Sequence, residues 1–301
     1  MMLWLALAIV YVVWGSTYFA IALVVHSMPP LLTAGVRFLL AGLILAAFIA
    51  VRDRSALAVT RRQLAGASAV GILLLAGANG LVSLGERTIP SGLAALIIAS
   101  IPLWVVVLRL VFGEHVGRDI IAGVAVGIVG VGVLVVPNGI SGETDLAGLL
   151  MLVCASLLWA TGSFLSPRLH MPRSVWGSTA YQMIAAGLVL IVLGPLLGET
   201  RALDPRHFST ESLVGFAYLV VFGSLVAFSA YTWLLQNAPV SLVATYAYVN
   251  PVIAVFLGTL FLSEPITPTM IGGAALILAA VAFILSRLNN ARVAARAAEA
   301  A

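Results

Sequence analysis

The chain has 301 residues, of which 62% are hydrophobic and only 9% charged. A soluble globular chain carries roughly 25% charged residues, so this one has too little charge to cover a water-facing surface. All 15 basic residues are arginine, and they lie spread through short polar connections at a formal charge of +4, which excludes a nucleic-acid-binding patch and points to a bilayer as solvent.

A bilayer core of about 30 Å takes roughly 20 apolar residues at 1.5 Å each. Ten stretches reach that length: 3–25, 31–51, 64–85, 91–112, 118–136, 146–166, 175–197, 212–235, 241–262 and 268–288. None alternates in polarity over ~10 residues as a membrane β-barrel does. Helices satisfy their own backbone bonds in lipid, so the predicted fold class is an all-α membrane protein of ten transmembrane helices. The opening MMLWLALAIVYVVW lacks a basic region and a small-residue cleavage site, and reads as the first span instead of a removed leader. In the fifth stretch, Gly123, Gly127, Gly130 and Gly132 give a small-residue face for close packing or a dimer contact. The single cysteine, Cys154, lies within the sixth stretch, with no metal-ligand spacing around it, and reads as a buried packing residue. Residues 291–301 form a polar tail.

The arginines orient this array. With a cytoplasmic N-terminus, the inner connections hold Arg52, Arg54, Arg61, Arg62, Arg118, Arg168, Arg173, Arg287, Arg292 and Arg296, against Arg87, Arg201 and Arg206 outside. That bias predicts both termini in the cytoplasm of a cell whose inner membrane the chain crosses.

The two halves repeat. Trp14 in VVWGSTYF matches Trp159 in LLWATGSF, and the same spacing of 145 sets Arg37 over Gln182 and Ala41-Gly42 over Ala186-Gly187. A spacing of 149 then aligns Gly66 with Gly215, Pro90 with Pro239 and Pro102 with Pro251. The expected units are 1–140 and 141–290, each of five helices. An odd helix count forces the second copy to insert upside down, an inverted repeat of the kind carriers use to build two gates around one central site.

The doubled WGS-type motif and the Pro-centred fourth and ninth helices, followed by Glu114 and Glu264, resemble the EamA-type branch of the drug/metabolite transporter superfamily over residues 3–288. The resemblance implies export of amino acids or related metabolites, and the chain is most similar to the broad-specificity, aromatic amino-acid exporters. It carries no cofactor in that reading. Its partners are a small-molecule substrate and the lipid bilayer, with no nucleic acid, and it would work as a monomer or homodimer.

Residues able to carry transport follow from depth and face. Trp14, Trp104 and Trp159 lie near span centres, where an indole N–H wants a partner. Tyr11, Trp14 and Tyr18 share one helical face, as do Asn79 with Ser83, Ser100 with Trp104, Trp159 with Ser163, and Tyr246 with Asn250. Each polar group is either interhelical glue, at about 0.6 kcal/mol per bond, or part of a mixed pocket suited to a zwitterion with an apolar tail. Pro102 and Pro251 are candidate hinges, since each lacks an N–H and tends to kink its helix. Arg37 and Arg109 are the arginines within spans; snorkelling accounts for Arg109. Arg37 is expected to pair with Glu86 as an outer gate or to anchor a substrate carboxylate, with Gln182 as its uncharged counterpart.

No span centre carries Asp or Glu, and no phosphate-binding loop is present, so transport is expected to run down the substrate gradient without ATP. A membrane-embedded enzyme would need clustered catalytic groups, and H-E-x-x-H and G-x-S-x-G are both missing. A channel remains the third class; Pro-broken helices in an inverted repeat favour a carrier, of amino acids first and of purines, drugs or other metabolites second.

Overall fold

The computed structural model describes residues 2–135, 145–238, 240–243 and 245–299. Ten apolar helices make up the described chain: α1 (Met2–Ser27), α2 (Pro30–Arg52), α3 (Arg61–Gly85), α4 (Ser91–Val111), α5 (Arg118–Val135), α6 (Leu146–Leu165), α7 (Val175–Leu196), α8 (210–237), α9 (Tyr246–Leu262) and α10 (Pro268–Glu299). Nine carry a window long and apolar enough to span a bilayer, and α9, at 17 residues, is the shorter apolar helix. An even number of spans puts both chain ends on one face, here the terminal face, opposite the far face. The expected division at 140/141 falls outside the described residues. The last helix runs on to Glu299, through the start of the expected tail.

Polar side chains set the helix starts. Thr60 and Gln63 form a reciprocal capping box at α3, while Asp145, Ser174 and Ser209 accept from first-turn amides of α6, α7 and α8. Helices α2 and α4 follow prolines and lack such a cap. Carboxylates from the other repeat replace it. Glu199 accepts from the Leu31 and Leu32 amides at 2.9 and 2.8 Å, and Glu264 from those of Ser91 and Gly92 at 2.7 and 3.0 Å.

The duplication is visible in the irregularities. Both α3 and α8 loosen into π-helical turns at matching places, Ile72–Ala78 and Leu219–Val226. Both α4 and α9 end on a left-handed residue, Gly113 (φ 76°) and Ser263 (φ 55°), immediately before Glu114 and Glu264. Helices α2 and α7 pack along each other, as do α5 and α10; α1 lies against α8 and α9 just as α6 lies against α3 and α4. At the α2–α7 crossing Ala41 and Ala186 are fully buried. A Cβ at Gly42 would stand 3.0 Å from the Ile184 nitrogen, and one at Gly187 2.5 Å from that of Leu39. Only glycine admits this approach. Gly123 and Gly130 likewise face α10 and Gly127 faces Leu103, so these three pack inside this chain, whereas Gly132 faces open space.

Two expectations need correction. Helix α4 does break ahead of Pro102, at Ala99–Ser100, where proline has no N–H to give to the preceding turn. Pro251, by contrast, lies inside an unbroken α9, Tyr246–Leu262. Cys154 is exposed, not buried. A thiol behaves as a small hydrophobe, so a lipid-facing position suits it.

Candidate functional site

A cavity opens where α1, α2, α3, α4, α6, α7, α8 and α9 converge, and it encloses about 740 Å³ of free space counted out to its mouth. The π-helical turns shape two of its walls, Leu75, Ala78 and Asn79 on α3 and Gly223 and Ser224 on α8. Wider turns leave carbonyls free for side chains, and both are used. Asn79 Nδ2 donates to the Leu74 carbonyl at 3.2 Å, and Trp14 Nε1 donates to the Gly223 carbonyl at 3.4 Å.

Trp14 is the hub of an aromatic cluster on the terminal side of the cavity. Its ring lies 4.8 Å from Tyr231, 5.3 Å from Tyr246, 6.1 Å from Phe228 and 6.3 Å from Trp159, the Tyr246 and Trp159 contacts being edge-to-face. Such pairs add about 0.5–1.5 kcal/mol each beyond burial. Asn250 turns its amide nitrogen to the carbonyls of Tyr246 and Tyr11, at 3.1 and 3.2 Å. Its carbonyl oxygen is left as an acceptor.

Arg37 is buried in the opposite wall. Its Nε donates to Ser224 Oγ at 3.0 Å. Among the described residues no carboxylate lies within 4.0 Å of the guanidinium. The expected Arg37–Glu86 pair does not form: Glu86 is buried elsewhere, at the end of α3, with neither carboxyl oxygen hydrogen-bonded. A charge this deep costs about 2.5–3.5 kcal/mol on insertion scales, and one neutral hydroxyl leaves most of its donors for something that enters the cavity.

The structure gathers Trp14, Tyr18, Arg37, Asn79, Trp159, Tyr246 and Asn250 around this cavity. A smaller adjoining pocket of about 380 Å³ takes in Tyr18, Tyr246 and Asn250 again together with Pro102 and Pro251. Other candidates lie outside both. Tyr11 bonds Thr245. Ser100 Oγ bonds the Ile97 carbonyl and, at 3.4 Å, Ser156 Oγ on α6, and it accepts from Trp104 Nε1 at 3.1 Å, so these side chains satisfy one another away from the cavity. Ser163 is exposed, and Ser83 is buried away from the cavity. Gln182 donates to Ser178 within α7, and its backbone meets Gly71 of α3. Sequence reasoning missed Thr17, Ser224, Phe228 and Tyr231. The last three recur at i, i+4 and i+7 on α8, a face that could have been read.

The cavity is closed unevenly. The far-side half of α4, Ser91–Ile98, packs along α9, whereas the terminal-side half, Ile101–Val111, packs on α5 and α6 instead. Glu264 fastens the far seam through the α4 amides. Its structural twin Glu114 accepts from no helix-start amide among the described residues, and its contact with the second unit is a side-chain ion pair. It accepts from Arg109 Nε at 2.7 Å and pairs with Arg168, and the Arg109 hydrogen bond, with both arginine charges, holds its pKa below the usual carboxylate value.

These features define a polytopic membrane protein with a central pocket between two inverted five-helix units. The EamA-like transporter family model matches residues 1–136 and 146–286, and the chain belongs to that family. It is 38% identical over 255 residues to the "Uncharacterized inner membrane transporter YedA" of Escherichia coli (strain K12), covering 84% of this chain and 81% of that protein. It is 27% identical over 291 residues to a "Probable amino-acid metabolite efflux pump" of Salmonella typhimurium, covering 90% of each. A crystal structure with 20% sequence identity superposes with a TM-score of 0.65 over 96% of this chain and 97% of that one, which shows a shared fold.

Proposed function

We propose that this protein exports small carboxylate-bearing metabolites, amino acids with aromatic or other neutral side chains foremost, across the inner membrane by alternating access and without ATP. The observation that carries the reading is Arg37: a buried guanidinium with no acidic partner among the described residues, facing a cavity otherwise walled by Trp14, Trp159 and Tyr246. A substrate carboxylate supplies the missing counter-charge. The rings accept an apolar or aromatic tail, and the Asn250 oxygen and aromatic faces accept an ammonium group. The name of the Salmonella relative agrees with this class. Purines and cationic drugs offer no carboxylate, so they rank second.

The arginine bias supports a cytoplasmic terminal face in this reading. The far end is then the outer gate, closed here, and the cavity awaits substrate from inside. Inverted repeats supply the second state by exchanging roles: Glu264 releases α4, and Glu114 moves to the first amides of the ninth span, at Val240–Val243. An enzyme has no place in this reading, because the cavity gathers no catalytic constellation.

Counterflow in proteoliposomes tests it. Phenylalanine exchange should saturate, phenethylamine, which lacks the carboxylate, should exchange at least about tenfold less well, and Arg37→Gln should erase that difference. Equal exchange of acid and amine by the wild type would exclude the Arg37 anchor. Uphill accumulation driven by a pH gradient alone would refute the facilitated mechanism.

A further inference from the structure

Glu86 is the one buried acid whose two oxygens both lack a hydrogen bond among the described residues. It sits one residue past α3, on the far side, with 6% of its surface exposed. The titratable groups set against it are Glu264, from the turn after α9, and Tyr18, from α1. On its own turn Arg87 is exposed, and Asp145 at the start of α6 is engaged by Thr88. No arginine is within ion-pair reach of it among the described residues.

A buried carboxylate without donors pays for lost hydration with nothing in return, and in practice such a group takes up a proton. Burial and the neighbouring Glu264 both push the Glu86 pKa well above the ordinary carboxyl value. Glu264 cannot relieve it, because a carboxylate that accepts two α4 amides has no proton to donate to another. The same engagement disfavours a sodium site, which would need those oxygens as ligands. Parting α4 from α9 changes this. Water then reaches the seam, and Glu86 ionises as an ordinary surface acid.

We propose that Glu86 is a proton-binding site that governs the far gate: the neutral carboxyl fits the clasped seam, and its loss of a proton favours opening. The sign follows from linkage. The clasped state binds the extra proton, so its added stability is full below the ordinary carboxyl value. That stability is lost as pH rises through the raised value of the clasped state. The ligand is a proton from the far side, and the device sets how often the outer gate opens. It is independent of what the cavity carries, so it stands or falls apart from the amino-acid reading.

Ala95 lines the pocket under the clasp, and Leu203 is an exposed reference. In a Cys154→Ala background, the labelling rate of Ala95→Cys by an impermeant maleimide is divided by that of Leu203→Cys at the same pH, which cancels thiol ionisation. The ratio should rise about tenfold for each unit by which the clasped state raises the Glu86 value. Glu86→Gln should stay at the low-pH ratio throughout, and Glu86→Asp should keep a rise. An unchanged rise in Glu86→Gln, or a rise that follows sodium against choline at fixed pH, overturns the proposal. If Glu86→Gln fails to accumulate, infrared spectra of the parent protein decide. A carboxylic-acid stretch should vanish with the same midpoint as the labelling rise, and its absence at acid pH would equally overturn the proposal.

Discussion

The two ends of the molecule are built from the same parts and are held in different ways. At the far end, Gly92 and Gly258 let α4 and α9 close until Glu264 reaches two backbone amides. By the spacing of 149 the terminal-end equivalents of these glycines are Ser241 and Arg109, and Glu114 turns to Arg109 and Arg168. The far end is locked by one carboxylate on two backbone amides, and the terminal end carries side-chain ion pairs open to solvent instead. On the alternating access proposed above, both ends open in turn, and the difference then assigns the bias to a shut far end, whose strength follows from the close approach at Gly258 and the carboxylate of Glu264.

The largest way to break this comparison is to fill the far seam. A side chain at Gly258 runs into the Glu264 carboxylate and Ser91, and overpacking of this kind costs about 1–3 kcal/mol. Gly258→Leu should therefore shift the gate roughly 5- to 150-fold toward opening. The Ala95→Cys reporter would then label quickly at every pH while exchange is largely lost. Slow labelling with normal exchange would mean that the seam is not a gate.

The two glutamates should next separate cleanly. Glu264→Gln keeps one acceptor and loses the charge that strengthens both amide bonds, and should raise far-side labelling by about tenfold. Glu114→Gln should leave that labelling unchanged, because surface ion pairs contribute little to the shut state, yet it should slow exchange by removing the clasp of the opposite state. The ends should also differ in pH. Glu114, whose pKa is depressed, holds its arginines at neutral pH and releases them only as pH falls through its lowered value. Glu86 moves its end the other way, loosening it as pH rises. Labelling of a His115→Cys reporter beside Glu114 and of Ala95→Cys across pH would show both slopes, and parallel slopes would contradict the asymmetry.

Within the cavity the repeat predicts equality, and the contacts do not. Trp14 touches four other rings and bonds Gly223, while Trp159 meets Trp14 alone among the recorded ring pairs. Trp14→Ala should lower exchange about tenfold and Trp159→Ala about threefold. Equal losses would mean that the rings serve the substrate symmetrically.

How much of this was legible follows from the physics of each feature. Spans, their number and the doubling come from apolar length and spacing, and the fold agrees apart from the short ninth helix. The aromatic hub was readable because Trp14, Tyr246 and Asn250 are costly in lipid unless they face protein. Two failures share another cause. Arg37 and Glu86 were matched by charge and depth along the chain, but which way each helix faces depends on packing, and α8 brought Ser224 to Arg37 instead. Glu264 appeared as a loop acid because a carboxylate seeking backbone amides leaves no partner residue to find in a sequence.

The smallest expected effect tests facing alone. Trp159 and Ser163 lie one turn apart, yet Trp159 lines the cavity and Ser163 is exposed. A helix that carries a wide ring into a cavity can still turn a residue four positions on toward lipid, because four residues advance about 400° and leave a 40° offset. Near the edge of the buried arc that offset is decisive. Ser163→Ala should leave exchange kinetics unaltered, as should Trp104→Phe, whose indole N–H serves only Ser100. A severalfold rise in KM for Ser163→Ala would place its hydroxyl inside the transport path and turn α6 by that same 40°.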